Sequence, residues 1–215
     1  LAAAGTVGLG ALGMAVRVGD GLPERFDDRA LAILAGAKAE HAIRHACMDR
    51  TLGEEPCRLG DSEAPVTFVL WGDSHASAFS SALDYVAAAS RRGGYVLAAP
   101  TCAPLLNVRR ESSRYDWRAC QAVVDRALAL LGAKTQPIDT VVLHARWAVY
   151  ASGERTPGEG GGRVPVVLRR LDPLLDPPAD DEDLFREGLE SLVVRLRAMG
   201  LRVILIGGVP EIGWD

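Results

Sequence analysis

The chain has 215 residues, a length that fits one α/β domain with appendages better than two independent domains. With 48% hydrophobic and 24% charged residues and a mean hydropathy of +0.09, it is neither disordered, nor collagen-like, nor a multi-span membrane protein. Its 24 basic and 28 acidic residues leave a net charge of -4, which is no footprint for nucleic acid, a partner that needs clustered Lys and Arg.

Leu1 rather than Met opens the chain, as in a segment of a longer protein or a chain that has been processed. The first sixteen residues, LAAAGTVGLGALGMAV, carry no charge before Arg17. That run is shorter than the roughly 20 apolar residues that span a bilayer. A signal peptide would need a basic start, which is absent, and four glycines argue against a water-soluble amphipathic helix. Residues 1–19 are therefore read as the end of a transmembrane helix and 20–64 as an extracytoplasmic linker. From about Asp27 to Ala46, Leu31, Ile33, Leu34, Ala37 and Ile43 recur among charges and predict a helix. His41 and His45 sit four apart on it, but without a third ligand they are read as a solvated pair, and no metal site is expected.

Four cysteines fall as two neighbouring pairs without zinc-knuckle spacing. After a membrane exit, two short cysteine loops read as disulfides Cys47–Cys57 and Cys102–Cys120 in a periplasmic or extracellular domain, although four cysteines allow three pairings. Reduced, buried thiols are the competing reading.

From Pro65 the chain changes character. VTFVLWGDS predicts a buried strand that feeds a turn at Gly72. A helix from Ala76 to Arg92 follows, closed by Gly93-Gly94, and YVLAAP is the second strand. Cys120 to Leu131 is a helix, and IDTVVLHA is the third strand. After a Gly/Pro-rich loop, SGERTPGEGGGRVP, a strong apolar stripe from Leu184 to Met199 gives a helix, with Asp180 and Asp181 as possible caps and Gly200 as its stop. LRVILIGGVP is the fourth strand. This alternation predicts an α/β fold, a parallel sheet with helices on both faces in flavodoxin-like order, whose ligands bind beyond the carboxyl ends of strands.

Gly72-Asp73-Ser74-His75 lies at such an end, directly before a helix. A serine there can expose its hydroxyl above the sheet, where the first helical amides can hold an oxyanion. Ser74 as nucleophile and Ser74 as helix cap are equally compatible with the turn alone. His75 adjoins Ser74, yet neighbours on a turn rarely aim at each other. His144 reads as a core strand residue, Trp71 as core, and Trp147 with Tyr150 as core packing in preference to a sugar-stacking wall.

WGDSHASAF with its helix, TCAPLL after the second strand, a second Cys, and VVLHARWAVY at the third strand together resemble the SGNH-type domain that ends membrane acyltransferase family 3 proteins, bacterial enzymes that O-acetylate surface glycans. The resemblance covers Pro65 to Asp215, and a domain over 65–215 incomplete at its carboxyl end is expected. It implies Ser74 as the acyl-accepting nucleophile, Gly72 for the tight turn, and Asp73 to orient the turn. Where the family pattern expects Gly and Asn oxyanion donors, this chain has Thr101-Cys102-Ala103-Pro104 and Ala145-Arg146-Trp147; Arg146 either stabilises an oxyanion or pairs with an acid. The family base lies on a late Asp-x-x-His segment that this sequence does not contain, so the base is expected outside the chain.

The implied activity is transfer of an acyl group, expected to be acetyl, to a glycan hydroxyl through Ser74. Carbohydrate acetyl esterase and a catalytically silent glycan-positioning domain are the alternatives. Implied partners are a membrane acyltransferase domain upstream in the same polypeptide and the glycan acceptor. No cofactor is expected on this domain, the acyl donor, acetyl-CoA, being used by the membrane part. The implied location is the bacterial cell membrane, with this domain on its outer side.

Overall fold

The computed structural model describes residues 2–35, 47, 56–111, 116–153, 166–172 and 179–209. His41, His45 and most of the Gly/Pro-rich loop lie outside these residues. The chain divides into two units, Leu1–Ala42 and Ile43–Asp215. In the first, helix α1 covers Ala2–Val18 and exposes Val7, Leu9, Leu12 and Met14, and α2 is described over 28–35. Among the described residues no helix is long and apolar enough to cross a membrane.

The second unit is built on a sheet of five strands. These are β1 (Cys57–Gly60), β2 (Val66–Gly72), β3 (Gly93–Ala98), β5 (Thr140–His144) and β7 (Arg202–Ile206), in spatial order β1-β3-β2-β5-β7. Four of them run parallel, in the expected order. The fifth, β1, pairs antiparallel on β3 and comes from the stretch read as linker. Two further strands, β4 (Val108–Glu111) and β6 (Val167–Arg170), form a small antiparallel sheet that the sequence did not announce. Both are four residues long, too short to display a period.

Alternation along the strands loads both faces. Phe68, Leu70, Val96 and Val142 meet Ala76, Phe79, Leu83 and Ala87 of α3 (Ser74–Ala89). Val69, Trp71, Leu97, Val141 and Leu143 meet Val124, Ala127 and Leu131 of α4 (Trp117–Ala133) and Leu184, Leu192 and Leu196 of α6 (Asp181–Ala198). Trp71 is fully buried among them. A short helix, α5 (Trp147–Ser152), follows β5 directly. From β2 the chain leaves toward β3 and from β5 toward β7, so the sheet reverses direction between the carboxyl ends of β2 and β5, the crevice where such folds bind ligands.

Gly93 and Gly94 do not close α3; they open β3, where Gly94 faces the Phe68 ring so closely that a Cβ would lie 2.2 Å from it. The helix stops instead at Ser90 and Arg91, the latter in the left-handed region at φ 52°. Both expected disulfides, Cys47–Cys57 and Cys102–Cys120, are formed.

Candidate active site

The site grows from the crossing of β2 and β5. Gly72 pairs with His144, and a Cβ at Gly72 would stand 1.7 Å from the His144 carbonyl oxygen and 2.7 Å from the Ala76 Cβ. Only glycine lets the two strands and the first turn of α3 close at this point.

Asp73 comes next in extended conformation and is 2% exposed. Its Oδ1 accepts from the His75 N–H at 2.8 Å, capping α3, and its carbonyl accepts from the Ser77 N–H at 3.1 Å. Its Oδ2 accepts from the Arg146 N–H at 3.1 Å and from the Tyr150 hydroxyl at 3.2 Å. A buried carboxylate needs such donors, because its lost hydration must be replaced. The helix therefore begins two residues before the expected Ala76, and the cap is Asp73, not Ser74.

Ser74 is thereby the first residue of α3, half-buried. Its hydroxyl makes no hydrogen bond with any described residue. As a first-turn residue its N–H has no intrahelical acceptor, and it lies at the positive end of a sixteen-residue helix dipole, a place suited to an anionic oxygen.

The histidines do not complete a triad within these residues. The His75 ring lies 6.1 Å, edge to face, from that of His144, which is 4% exposed and also meets Phe79 at 5.5 Å. Burial holds the His144 pKa below its ordinary value of about 6.5, against the opposite pull of the Ile206 carbonyl 3.4 Å from Nδ1. Neither imidazole bonds Ser74 Oγ among the described residues.

Arg146 forms an inverse γ-turn, with φ -75° and ψ 66° and the Trp147 N–H donating to Ala145 O at 2.8 Å. Its own amide is engaged by Asp73, which removes that N–H from the oxyanion candidates. Trp147 and Tyr150 are 8% and 3% exposed, so they are core, as expected, and offer a sugar no stacking face. Trp147 Nε1 donates to the Ile206 carbonyl at 2.7 Å. The bond from Tyr150 to Asp73 is the part of the site that sequence reasoning missed; the only hint is that Trp147 and Tyr150 stand three apart, on one helical face. Burial first, and then the Asp73 charge, push the Tyr150 phenol well above its usual pKa, so it stays a donor. Tyr150 also lines a cleft with Arg109, Arg110, Trp117 and the Cys102–Cys120 bridge, whose lining does not include Ser74.

A family model described as "SGNH domain (fused to AT3 domains)" matches residues 42–215. The chain belongs to this family. The match takes in the serine turn, the sheet and both disulfides of the SGNH domain, and starts ahead of Pro65, so that β1 falls inside it. Membership places the domain in the acyl-transfer and ester-cleaving class and associates it with a membrane acyltransferase part. No curated protein and no solved structure matches the chain significantly.

Proposed function

We propose that this SGNH domain passes an acyl group, acetyl by family resemblance, to a hydroxyl of a bacterial surface glycan through an acyl-serine on Ser74. The observation that carries the reading is the division of labour at the turn. Asp73 does the capping, so the half-buried Ser74 hydroxyl, at the head of α3 and beside the sheet's reversal point, has no structural task.

In the first half-reaction a general base takes the Ser74 proton, Oγ attacks the acyl carbonyl, and the tetrahedral oxyanion is held by the Ser74 amide and the helix end. Collapse expels the donor's leaving group, which takes up the proton. In the second half-reaction the base deprotonates the glycan hydroxyl, which attacks the acyl-serine and releases Ser74 Oγ to recover a proton. In the family pattern that base is the histidine of an Asp-x-x-His segment. The acyl donor is handled by the membrane acyltransferase part, and the domain works on the outer side of the membrane. Two disulfides support an oxidising compartment.

Ser74→Ala in the native full-length protein is expected to abolish glycan O-acetylation, measured by mass spectrometry of the isolated polymer. Retained acetylation would sink the nucleophile assignment and leave the glycan-positioning reading. Release of free acetate in place of modified glycan by the unchanged protein would identify an esterase.

A further inference from the structure

One hydroxyl ties together the carboxyl ends of two neighbouring inner strands. Tyr150 belongs to α5, directly after β5, and its hydroxyl donates to Asp73, directly after β2. Asp73 passes the constraint on, since its other oxygen fixes the His75 amide in the first turn of α3 and Oδ2 also holds the Arg146 amide. Asp73 and Tyr150 are 2% and 3% exposed, so water does not compete for these bonds.

We propose that Tyr150 is the positioning residue of the acyl-transfer site, its hydroxyl locking the Asp73 carboxylate in the orientation that aims Ser74 and its amide at the acyl carbonyl. This rests on Ser74 being the nucleophile. Packing alone does not call for the hydroxyl, because phenylalanine would fill the same space. Without it Oδ2 keeps only the Arg146 amide, the carboxylate is freer to rotate, and the first turn of α3 loses its tie to α5. A nucleophile and an oxyanion donor share that turn, and rates fall steeply when either is displaced by a fraction of an ångström.

The test is the rate at which a fluorophosphonate labels Ser74 in the native full-length protein, resolved into probe binding and the bond-forming step. Tyr150→Phe is expected to slow bond formation about ten- to a hundred-fold with probe binding unchanged, a split that loss of packing would not produce. Asp73→Asn, which can keep the cap acceptor but turns an NH2 toward the Arg146 amide, is expected to slow it similarly. The double variant should be no slower than the worse single one, because both break the same tie. Equal labelling rates in Tyr150→Phe and the unchanged chain overturn the role of Tyr150 and leave Ser74 standing. If Tyr150→Phe does not fold, an unaltered rate in Asp73→Asn overturns it equally. Absence of any Ser74 labelling in the unchanged chain overturns the nucleophile reading itself, and this inference with it.

Discussion

Ser74 and Asp73 are neighbours with opposite relations to the fold. Because the cap is the Asp73 carboxylate, Ser74→Ala should shift stability by no more than about 0.5 kcal/mol in urea denaturation while activity falls by at least about a thousand-fold. Asp73→Ala removes the cap and strands the Arg146 amide and the Tyr150 hydroxyl, and should cost about 2–4 kcal/mol in the same assay. His144 carries a pH signature. Burial makes it bind a proton less readily folded than unfolded, so the unfolded chain takes up more protons as pH falls below about 6.5. Its contribution is intact above that value and is lost progressively as pH drops through the lowered folded pKa. Urea midpoints measured from pH 7.5 to 5 should decline on the acid side, and His144→Phe should flatten that decline. The serine turn was legible because GDS after an apolar run is a local pattern. The bonds that Asp73 makes were not, since their donors lie 73 and 77 residues downstream and leave no mark beside it.

At the level of elements, the long amphipathic helices and the β-branched strands declared themselves through their periods, and the parallel order followed from their alternation. Gly93-Gly94 shows where local reading fails. Two glycines after a helical stripe look like a helix stop, yet they are needed within β3, where Ala64 O and Pro65 O crowd one and the Phe68 ring crowds the other. Gly94→Ala should accordingly destabilise by about 1–3 kcal/mol, and Phe68→Leu on that background should recover part of the loss although it is harmful alone. Thermal unfolding of the two single variants and the double variant would reveal the coupling; additive losses would mean that the ring moves aside freely. Helix α5 escaped detection because six residues make less than two turns, and its Trp147 and Tyr150 look equally at home at a strand end.

For the molecule as a whole, the Cys102–Cys120 bridge closes an eighteen-residue separation between the loop after β3 and α4. Replacing both with Ala should cost about 3 kcal/mol by chain entropy. Urea midpoints of the oxidised protein and the variant would measure it, and an equal midpoint would mean that the loop is held by its packing alone. The sheet order also sets a timetable. β2 cannot gain its β5 neighbour, nor Asp73 its donors, until the chain has reached Thr140–Tyr150, and parallel pairing over such separations is slow to form. A chain emerging amino end first carries Ser74 in an unfinished turn until Arg146 and Tyr150 have followed it. Under the proposed acyl-transfer role, reactivity arrives only with closure, and half-made or unfolded copies leave the acyl groups around them untouched.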